Sequence, residues 1–322
     1  MEDNMKIEND KFAIFSGGSN HILARHICDF LKVPLDKIRI STFADGEILV
    51  KIMTNVRGKD VFIIQGTCPP VNINLIKLLT IIDALKRSSA KRITAVMPYY
   101  GYARQDRKVE PRVPITAKLV ANLLVAAGVN RILTLELHAG QIQGFFDIPV
   151  DNLYSIPVFV EKLKEMNLHK PVVVSPDVGG VERARALAKY IRANLALVDK
   201  RRPKPNKAKI LNIIGNVQGR TCLIFDDIID TAGTASGVAW ALKEHGAKLI
   251  YLLGTHPVLS GDAVKRLENS PVEKVIVTNS IPIKEKSKKI VTLSVGKLFA
   301  QAIECIHNET SISDLFKMKH GD

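Results

Sequence analysis

Thr221-Cys222-Leu223-Ile224-Phe225-Asp226-Asp227-Ile228-Ile229-Asp230-Thr231-Ala232-Gly233-Thr234 is the stretch around which the chain is organised. Its apolar run, residues 222–225, predicts a buried strand. The run ends in two adjacent carboxylates, Asp226 and Asp227. A small hydroxyl-bearing loop follows, and residues 236–246 carry a helical pattern. Strand, acidic pair, loop and helix is the order found at the carboxyl edge of an open α/β sheet. Thr231, Ala232, Gly233 and Thr234 offer backbone N–H groups and hydroxyls at a helix N-terminus, a setting suited to phosphate. Asp226 and Asp230 offer oxygens to sugar hydroxyls, or to Mg²⁺ through water. The plainer alternative is that Asp227 and Asp230 cap the helix.

The whole string resembles the phosphoribosyl-diphosphate (PRPP) motif: apolar residues, two acids, a short spacer, then Thr-x-Gly-Thr. Phosphoribosyltransferases and PRPP synthetases share that motif, so it implies a ribose 5-phosphate site without naming the reaction.

Working outward, the chain repeats itself. In the first half, residues 12–15 are an apolar run followed by the turn Ser16-Gly17-Gly18, and residues 22–31 read as a helix. Strands are expected at 38–42, 47–53, 61–64 and 92–97, with a long helix at 72–88. In the second half, residues 172–174, the turn Ser175-Pro176-Asp177 and the helix 182–192 follow the same order. Residues 241–250 mirror residues 84–93. Ser16 and Gly58 are 42 positions apart, and Ser175 and Gly219 are 44. Three echoes in register indicate two copies of one α/β domain, wound by βαβ units into parallel sheets. After the equivalent strand the first copy has Gln65-Gly66 and a proline loop, so the ribose phosphate site is expected in the second half only.

Composition bounds the class. The chain has 322 residues, 46% hydrophobic and 24% charged, which suits about two globular domains. No apolar run approaches the ~20 residues of a membrane span, and residues 1–10 lack a signal-peptide pattern. Cys28, Cys68, Cys222 and Cys305 are scattered, which gives no zinc site or disulfide framework and suggests a reduced, cytoplasmic protein. The net charge of +14 is compatible with nucleic acid or with polyanionic small substrates. The basic clusters 200–209 and 284–289 have no interleaved aromatics, so no nucleic-acid partner is expected.

Further residues can carry chemistry. Tyr99, Tyr100 and Tyr102 stand among Arg104, Arg107 and Lys108, a string expected to make poor core and to meet a nucleotide polyphosphate through its arginine forks. His138 ends an apolar strand, and Asp177 ends another in the second copy. Two strand-end ligands facing one crevice can hold a metal, although Mg²⁺ prefers oxygens. Lys200 and Arg202 lie on a basic loop and fall on one side of an extended chain. A loop of this kind, closing over two phosphorylated substrates, places cations on developing charge.

Taken together, these motifs resemble the class I ribose-phosphate diphosphokinases, the PRPP synthetases, over residues 12–316. The resemblance rests on Phe43-Ala44-Asp45-Gly46-Glu47, residues 101–107, residues 113–118, His138, residues 141–147, Ser175-Pro176-Asp177, residues 199–203 and residues 226–234. It implies two tandem phosphoribosyltransferase-like domains, each a mainly parallel sheet flanked by helices. Residues 1–154 would form the ATP and regulatory side. Residues 155–322 would carry the ribose 5-phosphate site, with the extreme C-terminus packing back on the first domain.

The resemblance also implies roles. Phe43, Asp45, Gly46 and Glu47 hold adenine in a site completed by a neighbouring subunit, and Arg104 and Gln105 bind ATP. His138 and Asp177 serve Mg²⁺. Lys200 and Arg202 stabilise the transition state. Arg202, Asp226, Asp227, Asp230, Thr231, Ala232, Gly233 and Thr234 bind ribose 5-phosphate. A homo-oligomer of dimers reaching a hexamer is implied, with phosphate and ADP as effectors near Asn55, Arg57, Arg112, Ser311 and Phe316. Asn55 stands where many members have serine. The alternatives are a phosphoribosyltransferase, which would need no ATP motif such as residues 101–107, and a non-catalytic regulatory homologue, which would lack Lys200, Arg202 or His138.

Overall fold

The computed structural model describes residues 10–201 and 210–316. The described residues divide into two compact units, one formed by residues 10–154 together with 295–316, the other by Ser155–Ser294.

The first unit contains β1 (Phe12–Ser16), α1 (His21–Leu31), β2 (Ile38–Thr42), β3 (Ile48–Ile52), β4 (Asp60–Ile64), α2 (Val71–Arg87), β5 (Arg92–Met97), α3 (Thr116–Ala127), β6 (Arg131–Leu135) and β7 (Val150–Leu153). Five strands form a parallel sheet in the order β1-β4-β5-β6-β7. Every residue of β1 and β4 is buried, as befits parallel strands covered on both faces. β2 and β3 form a separate antiparallel hairpin. The α1 helix starts where the Asn20 side chain accepts from the Leu23 amide at 3.1 Å, a capping bond that replaces a missing intrahelical partner. It buries Leu23, Ala24, Ile27 and Cys28.

The second unit contains α4 (Ile156–Glu165), β8 (Pro171–Ser175), α5 (Val181–Tyr190), β9 (Asn194–Arg201), β10 (Ile210–Ile214), β11 (Thr221–Ile229), α6 (Gly233–Glu244), β12 (Leu249–Pro257), α7 (Ala263–Glu268), β13 (Lys274–Thr278) and β14 (Ile290–Leu293). Its seven-stranded sheet runs β10-β9-β8-β11-β12-β13-β14, parallel except for β10 against β9. The element order repeats that of the first unit, as expected from the duplicated sequence. One difference is that β9 and β10 join the main sheet, whereas β2 and β3 stand apart. From β8 the chain winds outward to β10, then returns to the other side of β8 as β11. Strand order therefore reverses between β8 and β11, the position where open α/β sheets bind ligands beyond their carboxyl ends.

The last helix, α8 (Gly296–His307), belongs to the first unit and packs against α1. Asp60 fastens it. The Asp60 carboxylate accepts from Arg92 Nε at 2.8 Å, from a second Arg92 nitrogen at 2.5 Å, and pairs with His307 Nδ1 at 2.9 Å. Arg92 also donates to the Ile306 carbonyl at 2.9 Å, near the negative end of α8. Burial alone would raise the Asp60 pKa, but the hydrogen bonds from Arg92 and His307 outweigh it and hold the carboxyl below its ordinary value. A depressed native pKa contributes stability above the unfolded value of about 3.9, and that contribution is lost as pH falls below it. Asp60→Ala should cost about 3 kcal/mol in urea unfolding at pH 7. The difference from wild type should shrink in titrations carried below pH 4.

Basic residues 284–289 have a structural use. Lys289 Nζ donates to the carbonyls of Leu267, Glu268 and Ser270 at 3.3, 2.9 and 2.9 Å, closing the C-terminal end of α7.

Candidate active site

β11 does not stop at the acidic pair. It continues through Asp226 and Asp227 to Ile229, paired with β12 as far as Ile229 opposite Pro257. The expected strand end at residue 225 is therefore four residues early. A charge inside a strand is tolerated because successive side chains alternate in direction, and each acid finds its own setting. Asp227 is buried and accepts from Arg183 on α5 at 3.2 Å. Asp226 is half-buried, and one of its oxygens accepts from the Asp227 amide at 2.9 Å. The N-cap residue of α6 is Ala232, whose side chain makes no capping bond.

α6 starts at Gly233, three residues earlier than the helical pattern suggested. Gly233 and Thr234 therefore lie in its first turn, where N–H groups have no intrahelical acceptor. Ala232 precedes the helix in a left-handed conformation, φ 59° and ψ 7°. Thr231, Gly233 and Thr234 are exposed and Ala232 is buried. The turn after β8 lies at the same switch point. Asp177 accepts from the Gly180 amide at 3.1 Å, and Ser175 Oγ donates to the Asp177 carbonyl at 2.7 Å.

Burial raises the Asp226 pKa well above the usual carboxylate range; Asp227 pushes it further, Arg183 opposes, and Asp177 adds to the rise. At Asp226, Arg183 is thus set against the neighbouring carboxylates of Asp227 and Asp177. Such a site favours a cation or hydroxyl donors from a ligand. Among the described residues no group of three His, Cys, Asp or Glu side chains is arranged to hold a metal unaided. Mg²⁺ typically takes one or two carboxylates and completes its shell with water and substrate phosphates, and Asp177 and Asp226 are half-buried carboxylates at this switch point.

In the first unit, Phe43, Asp45, Gly46 and Glu47 form the tip of the β2–β3 hairpin, all exposed. The Phe43 amide donates to the Glu47 carbonyl at 2.8 Å, and the Glu47 amide to Asp45 Oδ1 at 3.0 Å. Gly46 has φ +97°, which explains glycine there. The segment after β5 is only partly the exposed loop its composition suggested. Tyr99 and Tyr100 are core residues, because the Tyr100 hydroxyl donates to the Ala117 carbonyl at 2.8 Å and so can be buried without loss. Arg104 and Gln105 are exposed beyond them. The Gln105 carbonyl accepts from the Ala117 amide at 3.2 Å, and its side chain accepts from Thr116.

Gly101 makes this turn possible. A Cβ there would lie 2.5 Å from the Thr67 carbonyl oxygen, while the Gly101 amide donates to Thr67 Oγ1 at 2.6 Å. Gly101→Ala should cost about 2 kcal/mol of stability, read by chemical denaturation.

β6 ends at Leu135, and exposed His138 lies in the turn beyond it. Lys118 Nζ donates to the Phe145 carbonyl at 2.7 Å, and Gln141 Nε2 to Asp106 Oδ2 at 3.3 Å. These bonds tie the turn carrying His138 to α3 and to the segment carrying Arg104.

Residues 12–128 match the family signature described as the N-terminal domain of ribose phosphate pyrophosphokinase, and residues 188–317 match the phosphoribosyl synthetase-associated domain. The ribose-phosphate pyrophosphokinase of Helicobacter pylori strain 26695 is 54% identical over 305 residues, covering 95% of this chain and 96% of that one. This chain belongs to the ribose-phosphate pyrophosphokinase family. The pyrophosphokinase of Neisseria meningitidis serogroup A is 51% identical over 311 residues, 95% of each chain. The crystal structure of phosphoribosylpyrophosphate synthetase from Mycobacterium smegmatis superposes with a TM-score of 0.88 at 40% identity, covering 93% of this chain and 99% of that one. The two-sheet α/β architecture is thus that of a ribose-phosphate pyrophosphokinase.

In this pyrophosphokinase Lys200 is not on a loop but on β9, opposite Leu211 of β10. Arg202 lies outside the described residues. Of the expected effector residues, Asn55 Oδ1 accepts from the Arg57 amide at 3.1 Å, and Arg57 and Arg112 are exposed. Arg112 has φ +65°. Ser311 Oγ accepts from the Ser313 amide at 3.2 Å, and Phe316 ends the last 3₁₀ turn. Arg183, the counter-charge of Asp227, was not singled out from sequence. Its only local signal is a cation on a helix directly after the Ser175–Asp177 turn.

Proposed function

We propose that the second unit holds ribose 5-phosphate in the turn from Asp226 to Thr234, and that the first unit holds ATP. The chain makes PRPP from ATP and ribose 5-phosphate, as its family does. The observation that carries the assignment of residues is the concurrence, at the reversal of strand order, of the adjacent buried and half-buried carboxylates Asp227 and Asp226 and a helix N-terminus preceded by a left-handed residue. The N–H groups of Thr231 to Thr234 and the hydroxyls of Thr231 and Thr234 receive the phosphate. Asp226 and Asp230 accept from the ribose hydroxyls, and Asp227 with Arg183 fixes the strand beneath them.

In this scheme the anomeric hydroxyl of ribose 5-phosphate attacks the β-phosphorus of ATP in line. The oxygen between the α- and β-phosphorus leaves with AMP, and the β,γ-diphosphoryl group stays on C1. Holding both substrates removes the need for a collision in solution. Lys200 and Arg202 offset charge on the transferred group. Mg²⁺ would supply Lewis-acid neutralisation of the phosphates when bound; His138 is its candidate ligand in the first unit and Asp177 in the second. Phe43, Asp45, Gly46 and Glu47 receive adenine, and Arg104 and Gln105 the ATP phosphates.

We assign the chain to class I of the family and infer a cytoplasmic homo-oligomer, dimers assembling to a hexamer, with phosphate and ADP as effectors at Asn55, Arg57, Arg112, Ser311 and Phe316. Assembly is supported by exposed apolar side chains on β3 (Leu49) and just after it (Met53), on α2 (Ile73, Ile76) and on α3 (Leu119, Leu123). The domain limits proposed are 1–154 and 155–322, with the chain end returning to the first domain. No described helix is long and apolar enough to cross a membrane. The test of the chemistry is ATP labelled at the β-phosphorus. The label is expected in PRPP and absent from AMP; label left in ADP would refute transfer at that phosphorus.

A further inference from the structure

We propose that Arg266 is a positioning residue for ribose 5-phosphate, holding the peptide bonds of the 230–232 turn so that their N–H groups face the phosphate. This rests on the turn being the ribose 5-phosphate site.

The segment after β12 runs beside the end of β11. The Leu259 amide donates to the Ile229 carbonyl at 3.0 Å, and the Ser260 amide to the Asp230 carbonyl at 3.1 Å. Next in order, the Arg266 guanidinium donates to the Thr231 carbonyl. Three successive carbonyls are therefore taken up by one neighbouring segment. In a trans peptide the C=O and N–H of one unit point in opposite directions. Tying the Asp230 and Thr231 carbonyls toward the segment turns the Thr231 and Ala232 N–H groups away from it. They continue the run of open N–H groups at the start of α6, making a concave row of donors suited to an anion.

The turn does not hold this shape unaided. Ala232 has φ 59°, a left-handed conformation that a residue with a Cβ rarely adopts. Bonds from outside must then select it, and Arg266 is the side chain that binds next to it. Its own anchorage is firm, since α7 buries Ala263, Val264 and Leu267. Arg266 itself is exposed, so removing its guanidinium opens no cavity. The Leu259 and Ser260 bonds come from the backbone and survive any side-chain change, which leaves Arg266 as the part that substitution can test.

The experiment compares Arg266→Met, Arg266→Lys and wild type in steady-state kinetics and thermal melting, with Thr234→Val as a reference for the turn. Arg266→Met should raise the KM for ribose 5-phosphate about 10-fold, the worth of one charge-assisted hydrogen bond. The KM for ATP should stay within about twofold, and the melting temperature within about 2 °C. Arg266→Lys, which retains a donor, should recover most of the loss. An unchanged KM for ribose 5-phosphate in Arg266→Met overturns the inference alone, provided Thr234→Val raises it. If neither variant moves that KM, the turn is not the ribose 5-phosphate site and both assignments fail. A rise in both KM values with a fall in melting temperature overturns it too, since that marks general damage to the fold.

Discussion

Lys200→Ala is expected to lower kcat about 100-fold, close to 3 kcal/mol of lost transition-state stabilisation, while the KM values of both substrates change by less than about threefold. The split follows from what the lysine is assigned to do. Phosphoryl-group transfer asks little covalent chemistry of the protein and much electrostatic placement. A cation that meets charge only as the bond to AMP breaks is absent from the ground-state balance. Lys200 stands on β9 with Leu211 opposite, so it begins from a paired strand rather than from a free loop. Burst kinetics with rapid quenching would locate the loss in the chemical step. A loss confined to KM would assign Lys200 to binding instead.

Asp226→Asn is expected to abolish turnover, by about 100-fold or more, and at the same time to stabilise the free protein. Burial and the carboxylates of Asp227 and Asp177 raise the native pKa of Asp226. The native state therefore holds its proton more tightly than the unfolded chain does. The sign follows from linkage: the favourable contribution is complete below the unfolded value near 3.9 and is lost as pH rises toward the higher native value. Neutral asparagine has no such loss. Melting curves in the absence of substrates should show the variant above wild type at pH 7, with the gap closing toward pH 4. A variant less stable than wild type at pH 7 would mean the carboxylate is held by partners that favour its charge. Asp60 has the opposite dependence, contributing at neutral pH and failing only in acid, so the two carboxylates can be told apart in a single pH series.

Much of this was legible in the sequence because the informative residues are neighbours. The two copies share a short turn after the first strand and an Ala-Leu-Lys segment later, and both survive as local spacing. The site string 221–234 is contiguous for the same reason. What was misread depends on distant partners. The extension of β11 through Asp226 and Asp227 is possible because Arg183, 44 positions away, sits beside Asp227. Tyr100 looked unfit for the core among cations, yet its hydroxyl is satisfied by the Ala117 backbone, which has no sequence signature. His307 meets Asp60 across 247 positions, and Arg266 reaches Thr231 across 35. Neither contact leaves a spacing pattern. Lys200 read as a loop residue because it opens a basic run between strands, although β9 extends to Arg201.

The central claim is that the turn in the second copy binds the sugar phosphate, and calorimetric titration of ribose 5-phosphate tests it most directly. Wild type should take up one ribose 5-phosphate per chain. The double substitution Thr231→Val with Thr234→Val should weaken that binding about 10-fold or more and leave ATP binding unchanged. A double variant that binds ribose 5-phosphate as tightly as wild type would contradict the account.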